Sequence, residues 1–271
     1  GAEGQLYLGG TAAGAVGVAG SSLPALLLLP AMMLSAMLAG ALWSGLAGWL
    51  KLRFRADELI TTIMLNYVAI DFVSYLLHGP LQDPNSPLAQ TARLTTEARL
   101  PTLLTGTRLH AGVLIVLVVV ILAHLFLWKR VGGFRLRVVG LNPRAALNAG
   151  INVRHIVVLG FLASGALAGL AGFIEVSGVQ RRMIENLSPG FGYTAIIVAL
   201  LGQTNPVGVL ASAFLFAALQ IGATTMESAA GVPSTLTTVI QGLVVLFLIG
   251  RSAVPLLTGG ILRRLRPKAA S

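Results

Sequence analysis

Three carboxylates lie inside or beside apolar stretches of the chain, where burying a charge is costly and an ionisable side chain is usually functional. Glu3 stands between glycines in Gly1-Ala2-Glu3-Gly4-Gln5, where the backbone can leave the helix and expose polar groups. We expect Glu3 and Gln5 to line a solute pathway. Asp71 lies inside an apolar run and can serve either a pathway or a hydrogen bond between helices. Glu175 is expected to pair with the arginines that follow it.

Uncharged polar residues complete the expected pathway. The amide of Asn66 can both donate and accept hydrogen bonds, which suits an uncharged polar solute, although it can equally bond a neighbouring helix. Tyr193 and Thr194 follow two glycines in Gly190-Phe191-Gly192-Tyr193-Thr194, so they can gate or line the pathway or form an interfacial anchor. Asn205, which precedes Pro206 between two short segments, is added to the set.

Signatures of common enzymes are missing from these 271 residues. The three lysines are Lys51, Lys129 and Lys268, and none stands in a phosphate-binding Gly-Lys-Ser/Thr sequence. The four histidines are scattered without metal-ligand spacing, and cysteine is absent. We therefore expect no catalytic residue, no metal site and no cofactor in this chain.

The composition explains where these residues must be held. Hydrophobic residues make up 55% of the chain and charged residues only 10%, with a mean hydropathy of +0.84. Soluble domains carry about 25% charged residues. The expected fold is an all-α, polytopic membrane helix bundle. The basic residues behind the net charge of +10 lie between apolar runs, where they set the orientation of the helices in the membrane, so nucleic-acid binding is not expected.

About eight membrane segments are expected, since roughly 20 apolar residues cross a bilayer. The five clear segments are Leu23–Trp49, Leu59–Leu77, Leu109–Trp128, His155–Gly178 and Ser234–Gly250, and the three weaker ones are Gly4–Ala19, Phe191–Gln203 and Val207–Thr225. The weaker segments are short or rich in glycine, so they are either broken or re-entrant helices around a transport site or ordinary short helices joined by a tight turn.

Basic residues give the expected orientation. Fourteen of the 19 lysines and arginines fall in segments 51–58 and 129–154 and in the stretch from Arg251 onward. Positively charged loops stay in the cytoplasm. We therefore expect a multi-pass membrane protein, with the C-terminus and loop 129–154 in the cytoplasm and the irregular loop 78–108 outside.

The cytoplasmic loop contains a short expected helix. Asn142 is a suitable N-cap, Pro143 suits the first helical position, and Gly150 ends the helix. The residues between them include Arg144, Ala145, Ala146 and Asn148. Such a basic, capped helix either docks a cytoplasmic partner or lies at the lipid interface.

Four stretches in order resemble one known family. They are Gly1–Gln5, Asp57–Tyr67, Val139–Ala146, and Tyr193–Gly202 followed by Asn205-Pro206. Together they resemble the permease subunits of bacterial ABC importers, in the nucleoside and simple-sugar branch related to ribose and branched-chain amino acid permeases.

This resemblance implies a location in the bacterial inner membrane. It also implies a pair of permeases, identical or related, bound to two ATP-binding subunits and fed by an extracytoplasmic binding lipoprotein. ATP and Mg²⁺ would then sit on the partner, and the helix Asn142–Gly150 would couple the permease to it. Relatives usually begin with further membrane spans, so we expect N-terminal spans to be missing here. The expected domains are a permease domain over 1–262 and a basic cytoplasmic tail over 263–271.

The expected function is import of a small polar solute by alternating access, with a nucleoside first and a simple sugar second. The rival is a secondary transporter driven by an ion gradient, with Glu3 or Asp71 as the ion site. A membrane scaffold without a solute is the third possibility.

Overall fold

A computed structural model describes residues 1–104 and 106–231, and beyond them 233, 235–236, 239–244 and 246–247. Its α-helices are α1 (Glu3–Ala19), α2 (Ala25–Phe54), α3 (Glu58–Leu77), α4 (Gly112–Lys129), α5 (Val131–Leu141), α6 (Pro143–Asn148), α7 (Val153–Ile174), α8 (Phe191–Leu201) and α9 (Pro206–Ala230). A π-helical turn, Glu175–Gln180, extends α7, and Thr96–Ala98 form a 3₁₀ turn. The described residues contain no β-strand, which confirms the all-α prediction.

Five of these helices are long and apolar enough to cross a membrane: α2, α3, α4, α7 with its π-turn, and α9. The first four confirm four of the five clear segments. The fifth, Ser234–Gly250, lies partly outside the described residues. The sequence analysis places Val207–Thr225 among the weaker membrane segments, but the structure shows a helix of 25 residues there, which is long enough to cross a membrane. The 11 residues of α8 span only about 16 Å, roughly half of a bilayer core.

The chain divides into two compact units, Gly1–Thr194 and Ala195–Ser271. In the first unit, α1, α2 and α7 pack against one another. Glycines allow this contact, because a Cβ at Gly169 would collide with the Ala36 carbonyl oxygen of α2, and one at Gly172 with the Leu6 carbonyl oxygen of α1. Such small-residue contacts replace the hydrophobic driving force that is missing in lipid.

Loop 78–108 packs on the segment that follows α7. The Thr91 amide donates to the Met183 carbonyl at 2.9 Å, and the Leu94 amide donates to the Arg181 carbonyl at 2.9 Å. Leu94 and Leu100 are buried in the same core as Met183. The described part of the loop therefore shares the core of the helix bundle.

The loop expected over 129–154 contains one helix that the sequence analysis missed. Its first part forms α5, and the Arg137 guanidinium lies 4.1 Å from the ring centre of Trp128 at the end of α4. On the same side, Lys51 pairs with Glu58 at 2.8 Å, and both line one cavity with Leu136 of α5. Segments 51–58 and 129–154 thus lie together, as the charge pattern predicts.

In the second unit, a tight turn separates α8 from α9. Gln203 and Thr204 have positive φ angles of 53° and 55°, and the Asn205 Oδ1 accepts the Val207 amide at 3.1 Å to cap α9. Gly202 and Gly208 approach so closely that neither position has room for a Cβ. Of the two alternatives left open, this geometry favours helices joined by a turn.

The single permease domain over 1–262 remains a prediction, and the tail over 263–271 lies outside the described residues.

Candidate functional site

Glu3 joins the start of α1 to the start of α8. Its carboxylate is only 2% exposed, and its Oε2 accepts the Gly192 amide at 2.5 Å. Gly192 is the second residue of α8, where amides have no partner within the helix and the helix dipole favours a negative charge. A Cβ on Gly192 would lie 2.6 Å from the same carboxylate oxygen. Glycine is therefore required for this contact.

Asn66 joins α3 to α1 beside this point. Its side chain is 1% exposed, and its Oδ1 accepts the Gly4 amide at 2.8 Å, satisfying one of the free amides of the first turn of α1. A Cβ on Gly4 would lie 2.9 Å from the Cβ of Ala69, so the close contact depends on a glycine here too.

Two buried polar atoms near this junction have no hydrogen-bond partner among the described residues: the Asn66 Nδ2 and the Gln5 Oε1. An unpaired buried donor or acceptor costs about 1–3 kcal/mol. One donor and one acceptor are thus available for a polar molecule or for water at the start of α1.

Tyr193 lies at the edge of this junction and is 39% exposed. A Cβ added to Gly1 would lie 3.6 Å from the Cε1 of Tyr193 and 2.8 Å from the amide nitrogen of Asn66, so Gly1 lies between these two side chains. Gly190, with φ +92°, turns the chain before α8, and its carbonyl accepts the amides of Tyr193 and Thr194. The structure therefore brings Glu3, Gln5, Asn66 and Tyr193 close together, with Thr194 next in the chain.

Asn205 belongs to the second unit, where its side chain caps α9. Its place in a solute pathway stays a prediction. In the first unit, Glu175 accepts a hydrogen bond from Gln180 at 3.1 Å, and among the described residues it forms no ion pair with Arg181 or Arg182.

Tyr7 is a member of the junction that the sequence analysis missed. It is 3% exposed; its hydroxyl donates to the Ser188 carbonyl at 3.2 Å, while the Ser188 amide lies 3.3 Å from the same oxygen. Ser188 in turn accepts the Phe191 amide at 2.9 Å. The sequence signal for Tyr7 is its position on a helix rich in glycine and alanine, where a large ring fills the space that these small residues leave.

The opposite face of α3 is exposed and carries Asp71 among apolar and aromatic residues. Tyr67 and Tyr75, each four residues from Asp71, are 58% and 70% exposed, and Asp71 is exposed between them. The hydrogen bond inside the bundle that the sequence allowed for Asp71 is not formed with any described residue.

The expected short helix of the cytoplasmic loop is α6. The Asn142 Oδ1 accepts the amides of Arg144 and Ala145, both at 3.1 Å, Pro143 occupies the first turn, and Gly150 has φ +74°. Ala146 is fully buried against Val139 and Ile156, whereas Arg144, Leu147 and Asn148 are exposed. The helix is thus fixed along one side and open along the other.

A groove of about 480 Å³ borders this helix. Phe134 and Arg135 of α5 line it together with Gly150 and His155. The groove therefore begins at the residues that directly follow α6, and its wall carries the basic Arg135 and the apolar Phe134.

Comparison with known proteins gives a family match over residues 1–249, to the family described as the branched-chain amino acid transport system permease component. The chain is 40% identical over 259 residues to the glucose ABC transporter permease protein TsgB13 of Haloferax volcanii, covering 92% of this chain and 68% of the relative. It is 36% identical over 268 residues to the guanosine ABC transporter permease protein NupP of Bacillus subtilis, covering 97% and 76%. It is 31% identical over 235 residues to the nucleoside ABC transporter permease protein NupB of Lactococcus lactis, covering 83% and 64%. No solved structure matches the chain.

Proposed function

Since this chain belongs to the family of branched-chain amino acid transport system permease components, we propose that it is the membrane-spanning subunit of an ATP-driven ABC importer for a small polar solute. The single observation that carries this proposal is α6, a short capped helix that is anchored at Ala146 and open along Arg144, Leu147 and Asn148. The chain would work in the cell membrane by alternating access, with ATP and Mg²⁺ on a partner subunit.

The docking argument starts from rigidity. A six-residue helix is too short to be stable alone in water, so its cap at Asn142 and the burial of Ala146 must hold it in place. A helix held in this way transmits a push from a partner to α7 instead of unfolding. The exposed Arg144 and the groove beside it supply charge and apolar surface for an ATP-binding subunit.

Affinity purification of the full-length permease, expressed with its genomic neighbours, tests this docking. We expect Arg144→Glu combined with Asn148→Glu to abolish retention of the ATP-binding subunit while membrane insertion persists. The conservative pair Arg144→Lys and Asn148→Gln keeps charge and polarity and serves as the control. Normal assembly of the acidic variant would refute the assignment of α6.

The proposed solute is a nucleoside, with a simple sugar second. The guanosine, nucleoside and glucose permeases named above support this range, because each transports an uncharged molecule rich in hydroxyl groups. The unpaired amide nitrogen of Asn66 and amide oxygen of Gln5 can serve such a molecule, and the partly exposed Tyr193 lies close to Asn66. We propose that Glu3, Gln5, Asn66, Tyr193 and Thr194 lie along the pathway, with Asn205 as a further candidate.

Uptake of labelled guanosine and labelled glucose into cells carrying the whole importer separates the two solutes. Asn66→Leu should reduce uptake of the true solute while Asn66→Gln retains part of it.

The rival mechanism, coupling to an ion gradient, rests on the exposed Asp71 of α3. Uptake that stops on ATP depletion and continues after an ionophore collapses the gradient supports the ABC mechanism. The reverse result, together with loss of uptake in Asp71→Asn, would replace it.

The proposed partners are an ATP-binding subunit, a second permease subunit and an extracytoplasmic binding lipoprotein. The proposed orientation places α6 in the cytoplasm and loop 78–108 outside. The chain contains no cysteine, so single cysteines introduced at exposed Asn148 and at exposed Thr96 can be labelled directly from either side of the membrane.

A further inference from the structure

A cavity of about 440 Å³ lies where loop 78–108 meets the end of the π-helical turn. Arg93, Arg108 and Arg181 line it, together with Thr102. Its volume falls within the range of about 300–1,000 Å³ that holds small ligands. It is separate from the Glu3 junction and from α6, so neither proposed role accounts for it.

The backbone places these arginines together. The Leu94 amide donates to the Arg181 carbonyl at 2.9 Å, which sets Arg93 beside Arg181. Arg181 has φ +60°, so the chain turns sharply there at the end of the π-helical turn. Arg108 is positioned by a narrow loop, because the Leu103 amide donates to the Leu109 carbonyl at 2.8 Å. Three separate parts of the sequence thus bring arginines to the wall of one cavity.

The positive charges of this cavity are not compensated within the described part of the chain. No described carboxylate lies within 4.0 Å of the guanidinium groups of Arg93, Arg108 or Arg181. Burial lowers the pKa of the neighbouring Arg99 guanidinium, and the positive charges of Arg93 and Arg181 lower it further. Arg99 itself is occupied, since its Nε and Nη2 donate to the Leu94 carbonyl at 3.0 and 2.6 Å.

We propose that the cavity lined by Arg93, Arg108 and Arg181 binds a phosphate group. Guanidinium groups donate paired hydrogen bonds whose spacing matches phosphate oxygens, and a phosphate offers enough acceptors for three of them. A phosphate dianion also offsets two of the three positive charges, whereas a single carboxylate offsets only one. The Thr102 hydroxyl adds an uncharged donor at the wall. The phosphate can be that of a small soluble ion or that of a lipid headgroup.

Titration calorimetry with inorganic phosphate on the purified full-length permease tests this proposal, at constant ionic strength with chloride as the reference ion. The variant carries Arg93→Gln and Arg108→Gln, because both side chains are exposed and neither donates a hydrogen bond to a described residue. Each lost arginine should weaken phosphate binding about tenfold or more. Arg182→Gln is the control, since Arg182 follows Arg181 but does not line the cavity.

A second measurement distinguishes the source of the phosphate. Native mass spectrometry from nanodiscs that contain phosphatidylglycerol or phosphatidate shows whether a phospholipid stays bound to the wild type and leaves the double variant. Binding of free phosphate identifies a soluble ligand, and arginine-dependent lipid retention identifies a headgroup; either result supports the proposal.

Three results would overturn it. The first is equal phosphate binding by the wild type and the double variant, with no arginine-dependent lipid. The second is the same loss in Arg182→Gln as in the double variant. The third is an acidic binding protein whose retention needs Arg93 and Arg108 while phosphate has no effect, which assigns the cavity to protein docking.

The thermal midpoint without phosphate checks that the variant is folded. Removing two guanidinium groups from a crowded positive site should leave this midpoint unchanged or raise it. Phosphate should then raise the midpoint of the wild type and of Arg182→Gln but not that of the double variant.

Discussion

Adding one methyl group to α7 should have opposite effects at two of its glycines. Gly169 faces α2, where a Cβ would collide with the carbonyl oxygen of Ala36 and lie 3.4 Å from the Cα of Gly40. Gly160 lies on the same helix, and a Cβ there would meet only the Leu136 side chain at an ordinary 3.5 Å. Gly169→Ala and Gly160→Ala are therefore a chemically identical pair that differs in tertiary contact.

The expected magnitudes follow from two opposing terms. Alanine is favoured over glycine inside a helix by up to about 1 kcal/mol, and this gain applies at both positions. Overpacking costs about 1–3 kcal/mol, and Gly169→Ala should reach the upper end because the obstacle is backbone instead of a flexible side chain. We expect Gly169→Ala to lower the free energy of unfolding by about 2 kcal/mol and Gly160→Ala to raise it by up to about 1 kcal/mol.

Unfolding of the two full-length variants and the wild type, in one detergent and by one denaturant, measures both changes. Uptake should follow the same order, since α1 also packs on α7 at Gly9. If Gly169→Ala is as stable as Gly160→Ala, then α2 and α7 are not in backbone contact at this point, and the packing argument fails.

Three further outcomes are expected. Glu3→Gln keeps an acceptor for the Gly192 amide but loses the negative charge at the start of α8, so it should cost about 1–2 kcal/mol of unfolding free energy, and Glu3→Ala, which loses both, should cost more. A loss in Glu3→Gln as large as that in Glu3→Ala would show that the hydrogen bond to Gly192 contributes nothing. Asn142→Ala removes both 3.1 Å hydrogen bonds that cap α6 and should lower the free energy of local unfolding of this helix by about 1 kcal/mol. The loss should appear as faster hydrogen exchange at the amides of Arg144 and Ala145, whereas Asn142→Asp should retain their protection. Burial lowers the pKa of His110, whose Nδ1 accepts the Gly112 amide at 3.2 Å. The neutral ring therefore stabilises the fold at a pH above its ordinary pKa of 6.5, and this contribution is lost as the pH falls through the lowered pKa. Thermal midpoints recorded from pH 7.5 to 4.5 should therefore fall more steeply for the wild type than for His110→Asn, and parallel curves would contradict the assignment.

Much of the local structure could be predicted because its causes are local. Apolar length predicts α2, α3, α4 and α7, since a membrane helix satisfies its own backbone hydrogen bonds whatever surrounds it. The cap at Asn142 and the positive φ at Gly150 involve residues only a few positions apart, so α6 was predicted with its correct ends. The break at Asn205-Pro206 was visible for the same reason, although the length of α9 was not.

The candidate site could be predicted only as a set of residue types. The sequence singles out Glu3 and Asn66 because polar groups are costly in an apolar environment, but it does not say which partners satisfy them. Tyr7 was missed, since its bonds reach Ser188, 181 positions away in the chain.

The sequence by itself determined that this chain is a helical membrane protein, where four of its clear spans and the short helix α6 lie, and which family it belongs to. Only the tertiary structure decided that the Glu3 carboxylate meets the Gly192 amide, that Asp71 is exposed while Asn66 is buried, and that Arg93, Arg108 and Arg181 share one cavity. The physical reason is that hydropathy and helix capping depend on neighbours within a few residues. Partners across helices depend instead on how closely backbones approach, which small residues such as Gly169 permit but do not specify.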